Sequence, residues 1–320
     1  MTFIASVIAK EGVAIVADSF RTTINHSIEE DDFIEFIDNA SDKENIKISE
    51  LVGLFQEKAS HTRNYVDKLI QFDTHSAICS TGAAYINGKE VKNIIKAISA
   101  EMQADPAAYE ALSIDEKIKR ITDKLQEEVF QHLETRNFCS TNFIFSHFNK
   151  TKNEPQVFII NIKKFDKDKF DKDSPPTDLI KVEDKSYLKI ITDGQDTFVD
   201  RLIFGSLYRN MIDLKDGCIE YINGKFIPVE PLKSEFEADI NHIDFLRKIV
   251  SDDIFSIKFR ELSLQEAVDF AALLIKIVMD IQVYTEKIPT VGGVIRLAII
   301  NQDKGFEWIA GNNIISPKLI

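Results

Sequence analysis

Only three of the chain's 320 residues are cysteine. Cys79, Cys139 and Cys218 are widely separated and odd in number, which argues against a disulfide framework and fits a reducing compartment. Basic residues are in the minority, 39 Lys and Arg against 52 Asp and Glu, for a net charge of −13 at pH 7. That balance argues against non-specific binding to nucleic acid or to an anionic membrane surface. No run of about 18 apolar residues occurs, so no transmembrane helix is expected. The opening Met1-Thr2-Phe3-Ile4-Ala5-Ser6 has neither the basic stretch nor the long apolar core of a secretion signal, and a cytoplasmic protein is expected. His26, His61, His75, His132, His147 and His242 show no metal-ligand spacing. There is no glycine-rich phosphate loop or dinucleotide fingerprint either, so neither a metal nor a cofactor is expected.

What the chain does hold is apolar residues in regular patterns, 44% of the total. That is enough for one large core or two modest ones. Phe3 to Ala9 and Val13 to Asp18 read as a β-hairpin turned at Lys10-Glu11-Gly12. Strands are expected near Tyr65–Phe72 and Ser76–Thr81, the second ending at Gly82. Val91, Ile94, Ile95 and Ile98 mark a first helix. A second starts near Ser113, where Ser113-Ile114-Asp115-Glu116 resembles a capping box, and carries Ile118, Ile121, Leu125 and Phe130 on one face. Strands near Asn142–Phe148, Gln156–Ile162 and Leu188–Thr192 follow. A helix is expected from Gly194 to about Asn210, a small hairpin over 216–231 and a helix near Ile240–Val250. A last helix begins at Ser263 with Leu264, Ala267, Phe270, Leu274, Ile277 and Ile281 inward, before strands at Val294–Asn301 and Gly305–Ile309.

Strands, paired helices, strands, paired helices and strands again suggest an α+β fold with two sheets packed together and helices outside. A doubly wound parallel sheet would alternate single strands with single helices. One domain over 1–320 is expected, with insertions at about 23–63, 164–186 and 214–256. The first is read as mostly polar and helical around Ile48 to Gln56, its acidic run at 29–32 as solvated loop.

The candidate chemistry starts at Thr2. A threonine hydroxyl is a weak nucleophile without a neighbouring base. An N-terminal threonine carries its own: the α-amine has a reference pKa of roughly 7.7–8.0 and is partly neutral near pH 7. Removal of Met1 would expose that amine. In a hairpin turned near Gly12, Asp18 should lie close to Thr2, and a buried carboxylate there needs a cation. Lys68, in the apolar stretch Tyr65-Val66-Asp67-Lys68-Leu69-Ile70, can supply it. Taken singly, Thr2 also reads as an ordinary second residue, Asp18 as a turn residue and Lys68 as a solvent-facing lysine. Cys79 with His75 four residues earlier is a weaker nucleophile–base candidate.

Thr2, Gly12 and the run Val13-Ala14-Ile15-Val16-Ala17-Asp18-Ser19 resemble the start of a mature proteasome β-subunit, a family of N-terminal-nucleophile hydrolases. The separation of Thr2 from Asp18, the residues Lys68 and Gly82 and the separation between them, and the late Gly292-Gly293-Val294-Ile295-Arg296-Leu297 are similar to that family's pattern. The resemblance implies a four-layer αββα sandwich and a threonine-type peptidase. It implies Thr2 as nucleophile, Asp18 and Lys68 as its charged partners and the Gly82 N–H as oxyanion donor, with Thr22 and Ser80 contacting substrate. It further implies a peptide or protein substrate and a homo-oligomer, with an ATPase partner left open. A small-amide hydrolase and a non-catalytic assembly subunit of the same fold are the alternatives. The chain departs from the family in four places. Arg21 follows Asp18-Ser19 one position late, Gln195 and Val291 stand where the family often has serines, and Ile288 stands where it often has aspartate.

Overall fold

The computed structural model describes residues 2–39, 51, 54–63, 66–137, 140–163, 179–195, 199, 262–284 and 289–311, with backbone only at 24–26 and 56–63. The helix expected from Gly194 to about Asn210 lies outside them apart from Gly194, which ends a strand instead, Gln195 and the helical Val199. So do the hairpin at 216–231, the helix at 240–250 and the whole insertion at 214–256.

The first strands follow directly from the opening residues. β1 (Phe3–Ile8) and β2 (Gly12–Ala17) form an antiparallel hairpin in which every residue is buried. A strand covered on both faces needs an apolar residue at each position instead of an alternation, and these two supply it almost throughout. β12 (Ile190–Gly194) pairs with the free edge of β1. β13 (Arg296–Asn301) pairs with β2, and β14 (Gly305–Ala310) with β13. The order of this first sheet is β12-β1-β2-β13-β14. The second sheet runs β11-β10-β9-β6-β5, built from β5 (Leu69–Asp73), β6 (Ser76–Gly82), β9 (Thr141–Asn149), β10 (Glu154–Ile162) and β11 (Ile180–Asp184). Two small pairs complete the set: β3 (Arg21–Ser27) with β4 (Gln56–Arg63), and β7 (Tyr85–Ile86) with β8 (Lys89–Glu90). Every ladder among the described residues is antiparallel, giving an α+β fold of mixed helices and antiparallel sheets.

Side-chain parity sorts the core. Phe3, Ala5, Val7, Ala14 and Val16 join a cluster with Ala267, Ala271, Leu274 and Ile275 of a long helix, α5 (Leu264–Gln282). The alternate residues Ile4, Ile8, Val13, Ile15 and Ala17 cluster with Leu69, Ala77, Cys79, Ile144 and Val157 of the second sheet. Ser6 lies on that second side, where its hydroxyl meets Ser146 at 3.0 Å. The other face of the second sheet, with Ile70, Phe72, Phe143 and Phe145, clusters with α2 (Val91–Met102), α3 (Pro106–Glu110) and α4 (Ile114–Leu133). Each fully buried Ile, Leu or Phe is worth roughly 1.5–3 kcal/mol over its exposed state, so these clusters dominate the folding energy.

Several expectations are corrected. The acidic run is no loop: Glu30, Asp31 and Asp32 form the first turn of α1 (Glu30–Asn39), where carboxylates favour the helix dipole. Of the helix expected over Ile48–Gln56, residues 48–50, 52 and 53 lie outside the description, and Gln56 opens β4. The loop expected over 164–186 contains β11. The segment ahead of β5 is irregular as far as Lys68. The helix marked by Val91, Ile94, Ile95 and Ile98 forms, and all four residues are buried in the core. The stripe of α5 is rotated from the expected one: Ala267, Ala271, Leu274, Ile275, Val278 and Gln282 are buried, and Phe270, Ile277 and Ile281 sit at its margins. The capping box of α4 is present as expected, and a second, Ser263 with Glu266, starts α5.

Among the described residues no helix is long and apolar enough to cross a membrane. Gly12 illustrates how tightly β2 is clasped, since a Cβ there would lie 2.2 Å from the Ile300 carbonyl oxygen. Gly12→Ala is expected to lower stability by about 1–3 kcal/mol in urea unfolding, because backbone and not a flexible side chain must yield.

Candidate active site

The register that pairs Ile4 with Ala17 carries one step further and sets Asp18 against the start of β1. The Asp18 N–H donates to the Phe3 carbonyl at 3.2 Å, and the Phe3 N–H donates back to Asp18 Oδ1 at 3.0 Å. Oδ1 also accepts from Lys68 Nζ at 2.7 Å. Oδ2 accepts from the backbone N–H groups of Phe20 at 3.1 Å and Gly292 at 3.2 Å. Both side chains are buried, Asp18 completely. Burial pushes the Asp18 carboxyl up and the Lys68 ammonium down from their ordinary values, and the attraction between them opposes both shifts. The donor count decides the charge state: two donors converge on each oxygen, leaving no acceptor for a carboxyl proton, so Asp18 is a carboxylate and Lys68 its counter-ion.

Lys68 lies in an irregular segment that is tied down on several sides. The Val66 N–H donates to the Ser19 carbonyl at 3.0 Å, and the Ser80 N–H to the Lys68 carbonyl at 3.0 Å. Asp67 is held by Arg296 of β13 and Lys92 of α2. The sequence carried a sign of this clamp that went unused: an arginine inside the apolar run Val294-Ile295-Arg296-Leu297 requires a carboxylate partner once buried.

Thr2 is buried beside this pair, and its carbonyl accepts from the Gln195 N–H at 2.7 Å. Gly194 is required just before: its φ is +96°, and a Cβ would stand 2.0 Å from the Thr2 carbonyl oxygen. Gly82 closes β6 with φ +85°, where a Cβ would meet the Ser140 carbonyl at 2.2 Å. A cleft is lined by Thr2, Lys68, Ser80 and Gly82, together with Arg21, Asp67, Thr81, Tyr85 and Lys92 among others. Of the expected site residues, Thr2, Lys68, Ser80 and Gly82 therefore meet in one cleft, and Asp18 lies directly behind Lys68. Thr22 is not among the lining residues; it sits in β3 with its hydroxyl buried and without a hydrogen-bond partner. No family model and no curated protein matches this chain.

The four departures resolve unevenly. Arg21 stacks on the Tyr85 ring at 4.6 Å and donates to its hydroxyl at 3.0 Å. Gln195 receives a hydrogen bond from Gln282 at the end of α5, and Val291 donates its backbone N–H to that same Gln282. Ile288 lies outside the described residues. Sequence reasoning missed Gln282, the Asp67 clamp, and Asp193, which accepts from Thr81 and, at 3.1 Å, from Asn142. The Cys79 and His75 pair does not form a site. Cys79 is buried between the sheets, where desolvation pushes its thiol far up, and His75 lies in the turn before β6.

Lys68→Met strands a buried carboxylate and is expected to cost about 3–5 kcal/mol near neutral pH. Loss of the cation raises the folded-state Asp18 pKa further above its unfolded value. The deficit therefore holds at high pH and shrinks as pH falls through that raised pKa. Urea unfolding of both proteins from pH 8 to pH 4 measures the narrowing; a constant gap would contradict the assignment.

Proposed function

We propose that the chain is a threonine-type amide hydrolase of the N-terminal-nucleophile kind, acting on peptide bonds, with Thr2 as nucleophile after removal of Met1. The observation that carries this is the buried Asp18–Lys68 pair, 2.7 Å apart, with Lys68 lining the same cleft as Thr2 and Gly82. A cytoplasmic, proteasome-like protein built as a four-layer αββα sandwich is part of the same proposal. Its support is the division of the core: one cluster draws on both sheets, one joins the first sheet to α5, and one joins the second sheet to α2 and α4.

In this mechanism Thr2 Oγ attacks the scissile carbonyl carbon, and its proton passes to the Thr2 α-amine, directly or through a water. Lys68 lowers the energy of the developing alkoxide, and the Gly82 N–H donates to the oxyanion. The tetrahedral species collapses as the C–N bond breaks and the leaving amine takes the proton from the α-ammonium. Water then attacks the ester, with the α-amine again accepting a proton, and frees Thr2. Ser80, on the wall of the cleft, is assigned to substrate contact, and so is the backbone at Thr22. Self-association belongs to the proposal as well. Its support is the outer side of α5, where Leu273 is 49% exposed.

Hydrolysis of fluorogenic peptide amides tests the reading. Lys68→Ala and Asp18→Asn are each expected to lower turnover at least about a hundredfold. The double variant should be little worse than the poorer single one, because the two side chains act as a unit. Thr2→Ser should retain activity and Thr2→Ala none; wild-type turnover in Lys68→Ala or Thr2→Ala would refute the mechanism. Light scattering on the size-exclusion peak should give a mass well above 36.4 kDa at micromolar concentration. A clean monomer would refute self-association and move the substrate from proteins toward small amides.

A further inference from the structure

The carbonyl of Thr2 and the carboxylate of Asp18 are joined by a route that does not pass through Lys68. The Gln195 N–H donates to the Thr2 carbonyl at 2.7 Å. The side-chain oxygen of Gln195 accepts from Gln282 Nε2 at 2.8 Å. Gln282 Oε1 in turn accepts from two successive backbone N–H groups, Thr290 at 2.7 Å and Val291 at 3.0 Å. The next residue is Gly292, whose N–H donates to Asp18 Oδ2 and whose carbonyl accepts from Ser19 and Phe20, both at 3.1 Å. The direction of this chain is fixed chemically. Two N–H donors aimed at one atom of the Gln282 amide identify that atom as oxygen. Its nitrogen must then face Gln195, which must present oxygen in return.

We infer that Gln282 and Gln195 are positioning residues of the Thr2 site, and the inference rests on the functional reading given above. Gln282 is the last residue of α5 and one of its buried positions. From there one amide sets two things at once. Through Gln195 it fixes the end of β12, whose backbone holds Thr2. Through Thr290 and Val291 it fixes the loop that delivers the Gly292 N–H to Asp18. Gly292 allows no slack, because a Cβ there would lie 2.5 Å from the Phe20 ring. A neutral amide suits this task. It supplies an acceptor to the loop and a donor to Gln195 without placing another charge beside the Asp18–Lys68 pair, which a carboxylate would do.

Removing the Gln282 acceptor leaves two backbone donors unpaired in a buried place, so the loop shifts and the Gly292 hydrogen bond to Asp18 weakens. The groups facing Asp18 among the described residues are then Lys68 and the Phe3 and Phe20 N–H groups. A carboxylate that loses a donor is held in place less firmly, so Lys68 is less well set beside Thr2.

The test is the rate at which a β-lactone acylates Thr2, followed by intact mass across pH 5–9, in the full-length protein. Gln282→Leu is expected to slow acylation at least tenfold. Gln195→Leu should slow it several-fold, and Gln195→Asn, which restores a neutral amide acceptor for Gln282 Nε2, should recover part of that loss. The double leucine variant should be no slower than Gln282→Leu. If Gln282→Leu does not fold, the Gln195 pair decides the matter. Folded leucine variants that are acylated at the wild-type rate would overturn the inference and leave the functional reading standing. Absence of any Thr2 acylation in the wild-type protein would overturn the functional reading, and this inference with it.

Discussion

A carboxylate and an ammonium sealed from water are costly to bury, and the pair of Asp18 and Lys68 shapes much of the chain around them. Desolvating two charges costs several kcal/mol each unless every lone pair is met. Asp18 meets that condition with three backbone N–H groups from separate places, Phe3, Phe20 and Gly292, besides the lysine. Those donors define where β1 begins, how the chain leaves β2 and where the loop before β13 must lie. Lys68 differs in kind. Asp18 is the acceptor of its side chain's hydrogen bond, and Lys68 is one of the residues that line the cleft. An aliphatic residue with a neutral partner would satisfy packing at lower cost. The charge is therefore best understood through what it does to Thr2.

The surrounding structure spends much of its polar bonding on holding this arrangement still. Asp67 is clamped by Arg296 and Lys92, and the backbone at Val66 and Lys68 is tied to Ser19 and Ser80. Thr2 is reached from β12 through Gln195, across a glycine that no other residue could replace without a clash. The support is largely backbone and amide.

Much of this was legible beforehand, for reasons that can be named. β1 and β2 could be placed because they are covered on both faces and bounded by a turn, and their register puts Asp18 near Thr2 by geometry alone. Lys68 and Gly82 were read from their resemblance to the lysine and glycine of the proteasome-like pattern, with which their separation agrees. The helix starts at Ser113 and Ser263 follow from local capping chemistry that needs no tertiary context. What escaped was set by distant contacts. α1 was hidden because none of its apolar residues is buried, Phe33 and Ile34 being exposed and Phe36 and Ile37 half-buried, and its first turn is acidic. The inward stripe of α5 was misjudged because apolar residues cover more than half of that helix's circumference, opposite the polar stripe of Gln265, Asp269, Lys276 and Asp280, and the position of the first sheet selects among them. Gln282 and Asp193 act across the fold, and no spacing in the sequence announces them. The strand expected at Tyr65 begins instead at Leu69, because the residues before it turn their backbone to Ser19 and the side chain of Asp67 to Arg296.

The central claim is that the hydroxyl and α-amine of Thr2 form one reactive unit beside Lys68. The most direct measurement is the intact mass and peptide map of protein from its own host, before and after treatment with a peptide epoxyketone, which needs both groups to react. The account predicts a starting mass lacking Met1 and a single stoichiometric adduct that maps to Thr2. Quantitative retention of Met1, or an adduct on any other residue with Thr2 unmodified, would contradict it.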